Sequence, residues 1–586
     1  MRTLRWTLWN FRRIVLILAA PLLLLPLPLV IGTKEAQCSF VLLLMAIFWM
    51  TEAVPLAMAA MLPAILFPAF GIMTSSDVAK EYFKDFHFLL VGVICLATSI
   101  AKWGLHRRVA LRLVTLVGVN PAWLMLGFMS GCAFLSMWVQ NTSAVAMVMP
   151  IVEAVLQQIL KASEKDVGGE DNPGLQLDGP LGQRRLNSEQ GDHAGAAPGD
   201  PDHVTSLPAA QDAESPPAAP SSGGARRDRM LCKAMCIGIA YSSNIGGIST
   251  LPGTSPNLIF AEFLHQTYPS CNCINFGNWL LLCFPVSLIM LLLTWLWLYW
   301  LFIGSDFSFL WRCRGEQTEK ERAAKKVIED ECKSLGPMSS QEIFTGLVFL
   351  LMVLLWLTRA PGFIPGWASL FPQSAGHITD ATVALLLGLL FFIVPAYGPR
   401  SLLFLLHPES MISWKEFEES MWNVALLVGG GFALAEGAKV SGLSQWVADL
   451  LTPLGNLPVL ATITIACIIV TTVTEVTSNA ATVTIFLPIL SALAEAIHVN
   501  PLYVLIPTTL CTSYSFLLPV SNPPNAVVFG YGHLTIMDIV KAGIGTNVIG
   551  VLATLLAVAT WGVPLFSLDT YPDWAPVHPG SNSTSP

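Results

Sequence analysis

Two apolar stretches of this sequence are each interrupted by a short run of polar residues. One run, Glu475–Asn479, lies inside the apolar stretch Thr471–Leu490, and the other, Gln140–Ser143, lies in a similar stretch. Because a membrane segment cannot leave polar groups unsatisfied in lipid, such breaks occur where they line an enclosed or wet cavity. Asn141 and Asn479 are 338 residues apart, as are the prolines that follow them. Two copies of one broken segment indicate internal repeats of the kind found in membrane transporters.

A second pair of breaks has a different composition. The segments Tyr241–Asn257 (YSSNIGGISTLPGTSPN) and Tyr514–Asn525 (YSFLLPVSNPPN) both end in Pro-Asn within apolar surroundings. Since proline removes a helical hydrogen bond and glycine tolerates unwound backbone, we predict each segment as a helix broken inside the membrane. Carbonyls freed by such a break suit Na⁺, a hard cation that prefers oxygen ligands. The N–H groups at the start of the following half-helix suit an anion.

Basic residues are missing around all four breaks. The windows 113–160, 234–311 and 440–540 contain no Lys or Arg, and every break falls inside one of them. A small anion held there depends on Ser, Thr and Asn donors, helix N-termini and bound Na⁺. This predicts obligate coupling, because the anion is poorly held until Na⁺ supplies positive charge. Co-transported cations also offset the inside-negative potential, which opposes anion entry by about 2.3 kcal/mol per charge per 100 mV.

The composition places the chain in a membrane. Of its 586 residues, 54% are hydrophobic and only 12% are charged, with a mean hydropathy of +0.61, whereas soluble domains carry about 25% charged residues. No basic patch suggests nucleic acid, and no nucleophile–base set or Cys/His cluster suggests an enzyme. Cys271 and Cys273 can form disulfides if they are extracellular, but we do not predict a bond.

The apolar stretches divide the chain into membrane regions and loops. We predict an all-α polytopic protein with about eleven crossings, two re-entrant hairpins and two unwound helices. The first membrane region covers 1–160 and contains a hairpin at about 122–160; a disordered cytoplasmic loop at 161–229 follows. An unwound helix and the following span occupy 230–304, and a cytoplasmic loop occupies 305–341. The second membrane region covers 342–567, with a hairpin at about 457–493 and an unwound helix at 501–530, and a tail at 568–586 ends the chain.

Charge and a sequon predict the orientation. Arginines precede the apolar run Ile14–Ile31, which we interpret as a retained first span with a cytoplasmic N-terminus. Asn582 lies in a glycosylation sequon, which places the C-terminal tail outside the cell if it is used. An odd number of crossings, such as eleven, agrees with that arrangement.

These motifs resemble those of the divalent anion:sodium symporter family (solute carrier family 13), the sodium-coupled dicarboxylate, citrate and sulfate transporters. The similarity covers nearly the whole chain except 161–229 and the extreme ends. The segments 82–100, 117–123 and 494–513 look most like the sodium–sulfate cotransporter branch.

The resemblance implies an elevator-type homodimer in the plasma membrane, with inverted repeats that surround Na⁺ and substrate. Carried over by motif, the residues expected to contact the substrate are Asn141, Thr142, Ser478, Asn479 and Thr254. Those expected around Na⁺ are Gln140, Asn141, Gly253, Asn257, Ser478, Asn479, Asn522, Pro523 and Asn525.

Two positions depart from the family pattern, and they motivate the rival hypotheses. Gln140 stands where Ser is usual, and Pro252 replaces a Thr, so the first sodium site is in question. Our first hypothesis is sodium-coupled import of sulfate. A di- or tricarboxylate such as succinate or citrate is the alternative substrate, and a non-transporting anion sensor or scaffold is the alternative from another class. Glu52 and Glu436 are interpreted as helix-end or interface carboxylates, whereas Glu475 is equally suited to such a structural role and to a role as a proton or cation partner.

Overall fold

A computed structural model describes most of the chain. The described residues are 12–51, 53–117, 121–167, 223–271, 273–304, 319–359, 366–370, 378–397, 410–443, 446, 458–519 and 521–576. Predictions for Glu52, for most of the 161–229 loop and for Asn582 therefore lie outside the described residues. Within the described ranges the regular structure is helical, apart from one isolated bridge between Pro395 and Ser410.

The helices of the first half begin near the N-terminus and run to the second predicted cytoplasmic loop. They are α1 Arg12–Leu24, a π-helical turn Leu27–Ile31, α2 Lys34–Thr51, α3 Leu56–Ala59, α4 Leu62–Phe70, α5 Ser75–Glu81, α6 Asp85–Trp103, α7 Leu105–Val117, α8 Pro121–Ser136, α9 Asn141–Val167, α10 Gly223–Gly247, α11 Ser255–Thr267, α12 Phe276–Phe302 and α13 Glu319–Ser334.

The second half continues with a comparable series. It comprises α14 Ser340–Arg359, a 3₁₀ turn Trp367–Leu370, α15 Asp380–Ile393, α16 Trp414–Val440, α17 Val459–Thr474, α18 Asn479–Ala496, α19 Pro501–Cys511, α20 Pro523–Gly530, α21 Ile536–Ala559 and α22 Gly562–Phe566.

Three predictions about loops need correction. Residues 161–167 continue α9 and residues 223–229 begin α10, so helix extends into both ends of the predicted 161–229 loop. The predicted loop 305–341 contains α13, which is rich in Lys, Glu and Ala, residues with strong helix propensity. Cys271 and Cys273, for which no bond is predicted from the sequence, form a disulfide with their Cα atoms 5.2 Å apart.

Five described helical segments are long and apolar enough to cross a membrane. One of them is Arg13–Ile31, the segment interpreted as a retained first span, and the others are α12, α14, α18 and α21. Large apolar side chains such as Leu350, Leu354 and Leu552 are exposed on these helices, as a lipid-facing surface requires. The fold is therefore that of a polytopic α-helical membrane protein.

The two predicted hairpins match each other in detail. Hairpin 1 (α8–α9) and hairpin 2 (α17–α18) each open with a 16-residue helix, and their second helices begin at Asn141 and Asn479. The same backbone hydrogen bond occurs at both tips. The Val139 N–H donates to the Leu135 carbonyl in hairpin 1, and the Thr477 N–H donates to the Val473 carbonyl in hairpin 2. Donor and acceptor of the second bond each lie 338 residues after those of the first. The sequence repeat is thus a structural repeat.

The two halves interlock around their broken helices. Hairpin 1 packs on α10 and hairpin 2 packs on α19, while α9 also packs on α20 and α18 on α11. Each hairpin therefore contacts the short helix of the opposite half. We call α8–α12 with α17–α21 the inner bundle, and α2–α6 with α14–α16 the outer helices.

The triple glycine of α16 allows close contact both with another outer segment and with the inner bundle. A Cβ atom on Gly430 would collide with the backbone of Ala60, and one on Gly431 would collide with the Thr484 side chain. This run is therefore a helix-packing surface.

Candidate functional site

Four helices of the inner bundle begin at one cavity. The cavity has a volume of about 960 Å³, and its wall includes both hairpin tips and both unwound segments. We define the first unwound segment as residues 248–254, between α10 and α11, and the second as 512–522, between α19 and α20. Helices α9, α11, α18 and α20 start at this wall, so their N-terminal dipole ends face a common space.

Most of the residues predicted for the site line this cavity. They are Gln140, Asn141, Thr142, Gly253, Thr254, Ser478, Asn479, Asn522 and Pro523. Pro252 and Glu475 are also in the wall. The opposite side is formed by outer helices and is mostly apolar, with Leu90, Val93 and Ile94 from α6. The cavity therefore lies between the inner bundle and α6.

Asn257 and Asn525 do not line the cavity but tie together the backbone behind it. The Nδ2 group of Asn257 donates to the carbonyl of Thr250 at 2.8 Å and to that of Gly247 at 3.4 Å. Asn525 repeats this pattern with the carbonyls seven and ten residues before it, at 3.1 and 3.0 Å. Both side chains are at most 1% exposed. Each asparagine thus holds its unwound segment in a fixed shape.

The oxygen atoms of the same two asparagines are suited to a cation. The Oδ1 atoms of Asn257 and Asn525 are buried and have no hydrogen-bond partner in the structure. A buried carbonyl-type oxygen without a donor is unfavourable unless something positive meets it. Na⁺ is a hard cation that takes oxygen ligands, and the same side chains bind carbonyls of the unwound backbone through their Nδ2 atoms. The donor set in both halves therefore fits Na⁺.

The hairpin asparagines are oriented by neighbouring hydroxyl groups. Ser136 Oγ donates to Asn141 Oδ1 at 2.5 Å, and Ser515 Oγ donates to Asn479 Oδ1 at 3.2 Å. The Asn141 side chain also packs closely against the backbone of Gly247, where an added Cβ atom would lie 2.5 Å from Asn141 Oδ1. Only glycine at position 247 leaves room for the first hairpin tip.

Glu475 holds the second unwound segment. Its carboxylate accepts hydrogen bonds from the N–H groups of Phe516 and Leu517, each at 3.0 Å. It also accepts from Ser521 Oγ at 3.0 Å and from Asn547 Nδ2 at 2.7 Å. Four donors satisfy the charge of a side chain that is only 5% exposed. Of the two roles left open by the sequence, these contacts make Glu475 a structural anchor.

The electrostatics of the cavity favour joint occupancy by anion and cation. Among the described residues of its wall there is no Lys, Arg or His, and the two ionisable side chains are Glu416 and Glu475. Glu416 is paired with Lys102 at 3.0 Å, and Glu475 is satisfied as described above. An anion in this space meets helix N-termini and neutral donors, so its charge is balanced only when cations are present.

Sequence reasoning missed two residues that organise the site. Asn244 Oδ1 accepts from Asn141 Nδ2 and from Asn522 Nδ2, both at 2.9 Å. Ser515 Oγ accepts from Asn522 and donates to Asn479. Both lie in segments already marked by their polar composition, and their presence in an apolar window was the available signal.

The fold and the cavity define a membrane transporter built from two interlocked repeats, with a neutral oxyanion-type site beside oxygen ligands for a cation. Residues 6–568 match the family described as the sodium:sulfate symporter transmembrane region, and the chain belongs to that family. Na⁺ is its co-transported ion.

Several relatives are similar along their whole length. Mouse solute carrier family 13 member 1 is 52% identical over 578 residues, which cover 96% of this chain and 97% of the mouse protein. Human solute carrier family 13 member 4 is 44% identical, with 97% and 98% covered. Human solute carrier family 13 member 2 is 43% identical, with 98% and 97% covered.

Proposed function

We propose that this protein imports sulfate across the plasma membrane together with Na⁺. The observation that carries the proposal is the meeting of four helix N-termini at a cavity whose described wall holds no Lys, Arg or His. Sulfate keeps its double charge throughout the physiological pH range and is tetrahedral, so a ring of neutral donors pointing inward suits it. The description of the family, which names sodium and sulfate, supports the same substrate pair.

Each predicted residue has a place in this mechanism. Asn141, Thr142, Ser478, Asn479 and Thr254 offer amide and hydroxyl donors to the oxyanion. Gln140, Gly253, Asn522, Pro523, Asn257 and Asn525, together with Asn141, Ser478 and Asn479, provide side-chain and backbone oxygens for Na⁺. Because the same asparagines belong to both sets, a cation bound first preorganises the anion site.

A di- or tricarboxylate is the second candidate, and the size of the cavity favours it. Its volume of about 960 Å³ exceeds what one sulfate fills and lies at the upper end of the range for ordinary small-molecule pockets, about 300–1,000 Å³. Succinate or citrate would place its second carboxylate toward the apolar wall of α6, where no described basic residue lines the cavity. This mismatch ranks sulfate first.

The movement we propose is of the elevator type. The inner bundle carries the whole site, and it meets the outer helices across an apolar wall that can slide without breaking charged contacts. We further propose a homodimer, an odd number of crossings near eleven, a cytoplasmic N-terminus and an extracellular tail glycosylated at Asn582.

The test is uptake of radiolabelled sulfate into proteoliposomes, with Na⁺ or K⁺ outside and with excess succinate as competitor. Uptake that requires Na⁺ and is not inhibited by succinate supports the proposal. Inhibition by succinate would instead indicate a carboxylate transporter. Asn479→Ala is expected to abolish uptake. Its matched control is Thr472→Ala, an exposed position of hairpin 2 whose hydroxyl bonds only to the Ile468 carbonyl of its own helix at 2.7 Å.

Absence of uptake under every gradient would favour the non-transporting sensor. In that case the double reversion Gln140→Ser with Pro252→Thr should restore sodium-dependent uptake, because these two positions depart from the family pattern.

A further inference from the structure

Asn244 provides a hydrogen-bond acceptor that the two halves of the site share. It is three residues from the end of α10, is 1% exposed, and does not line the cavity. Its Oδ1 atom accepts the amide of Asn141, at the tip of hairpin 1, and the amide of Asn522, which precedes α20 in the second half. The side chain therefore contacts both halves without lining the cavity.

The contacts on either side extend this link to both hairpin tips. Asn522 Nδ2 also donates to Ser515 Oγ at 3.2 Å, and Ser515 Oγ donates to Asn479 Oδ1 at 3.2 Å. At the other end, Asn141 is held by Ser136. A continuous chain of side chains thus runs from Asn141 through Asn244, Asn522 and Ser515 to Asn479.

The link has no second copy. The position that corresponds to Asn244 in the second half, by the 268-residue spacing that relates Asn257 to Asn525, is Thr512. Its hydroxyl donates to the Thr509 carbonyl in its own helix at 2.6 Å. Among the described residues, one asparagine therefore serves both halves.

We propose that Asn244 is a positioning residue that couples cation binding in the two halves of the site. When a cation draws the Asn141 side chain into place, the shared Oδ1 fixes Asn244, which in turn fixes Asn522 and its partner Ser515. Binding in one half thereby prepares the other half, which is positive cooperativity between sodium sites. The inference rests on the proposed function, since it concerns the cations of that same transport cycle.

Three variants separate this role from simple packing. Asn244→Leu keeps the volume but removes the acceptor, and Asn244→Ser is smaller and cannot reach both amides. Asn244→Asp keeps an oxygen acceptor for both amides. The control is Ser243→Ala, because Ser243 is equally buried and its hydroxyl donates to the Ala240 carbonyl of the same helix at 2.8 Å.

The measurement is the sodium dependence of sulfate uptake at saturating sulfate. Wild type and Ser243→Ala should give a Hill coefficient clearly above one, and Asn244→Leu and Asn244→Ser should fall to about one. Asn244→Asp should keep the wild-type coefficient while its sulfate KM rises several-fold, since its charge lies near the anion.

A wild-type coefficient of one, or an unchanged coefficient in both Asn244→Leu and Asn244→Ser, overturns the inference. Loss of cooperativity in Asn244→Asp as well would overturn it too, because the acceptor is retained there. If Asn244→Leu does not fold, Asn244→Ser and Asn244→Asp decide the question. Failure of the proposed function is distinct, as wild type would then show no sodium-dependent sulfate uptake.

Discussion

The two unwound segments are held in place by different groups. Glu475 contacts the second segment, and the residue that corresponds to it in the first half, 338 positions earlier, is Met137. In the second half the Glu475 carboxylate accepts two backbone N–H groups, a hydroxyl and an amide. In the first half the corresponding hydrogen bonds are between neutral groups. The Thr250 hydroxyl donates to the Met137 carbonyl at 2.5 Å, Trp279 Nε1 donates to the Ile248 carbonyl at 3.1 Å, and the Ser249 hydroxyl donates to Ser287 Oγ at 2.8 Å. The asparagine contacts inside the two segments are similar.

This difference indicates unequal rigidity in two otherwise matching sites. Hydrogen bonds to a charged group are worth about 1.5–3 kcal/mol each, against about 1 kcal/mol for a neutral pair. The second segment is further fixed by Tyr241, whose hydroxyl donates to the Phe516 carbonyl at 2.7 Å. We infer that the second half is preformed, whereas the first half takes its final shape when ligands bind. The departures Gln140 and Pro252 also lie in this less constrained half.

Removing the carboxylate should have the largest effect. Glu475→Ala leaves the N–H groups of Phe516 and Leu517 without acceptors, at about 1–3 kcal/mol for each buried donor. We expect sulfate uptake to fall at least tenfold and the melting temperature to drop. Met137→Leu is the matched control, because it preserves the volume and leaves the backbone carbonyl in place. Near-normal uptake by Glu475→Ala would show that the anchor is dispensable.

Alanine substitutions of the two asparagines that hold the unwound segments should have the next largest effect on uptake. The effect on sodium activation should differ between the two halves. Asn257→Ala is expected to raise the sodium concentration for half-maximal uptake about tenfold, the equivalent of 1.4 kcal/mol. Asn525→Ala should raise it by roughly threefold, because Glu475 still holds that segment. Sodium titrations of the two variants side by side measure the ratio. Equal or reversed effects would remove the distinction between the halves.

The neutral contact of the first half should matter less. Thr250→Val deletes the hydroxyl that bonds to Met137, a loss of about 1 kcal/mol, and should weaken sodium activation by about two- to fivefold. Thr250→Ser restores the donor and should recover most of the activity. If Thr250→Ser behaves like Thr250→Val, the effect comes from packing and not from the hydrogen bond.

The smallest effect is expected from Gln140→Ser in a functional protein. Gln140 is exposed in the cavity wall, and Gln140→Ser keeps a side-chain oxygen there, so we expect a change in binding free energy of less than about 0.5 kcal/mol. The half-saturating sodium concentration should therefore move by less than about threefold. A larger gain in sodium affinity would show that glutamine weakens the first cation site.

The hairpins and unwound helices were predictable because polar breaks in apolar sequence are costly and therefore rare. The 338-residue spacing relates α8 to α17 and Asn141 to Asn479, but it does not relate the unwound segments to one another. Asn141 and Thr254 are 113 residues apart, whereas Asn479 and Asn522 are only 43 apart. The insertion at 161–229 accounts for the difference. Because of it, a single constant spacing does not align both the hairpins and the unwound segments.

The contacts between side chains were not predictable in the same way. Asn244 and Ser515 resemble any small polar residue in a broken helix, and their role depends on which tips the fold brings within about 3 Å. Glu475 was recognised as unusual, yet its four donors come from positions 41 to 72 residues away. Periodicity and composition carry no information about such partners.

Equilibrium binding of radiolabelled sulfate to the purified protein tests the central claim most directly. Because the cavity depends on helix N-termini and neutral donors, sulfate should bind in Na⁺ and show no measurable binding in the same concentration of K⁺. Equal affinity in the two salts would contradict the account, since the protein alone would then supply the balancing charge.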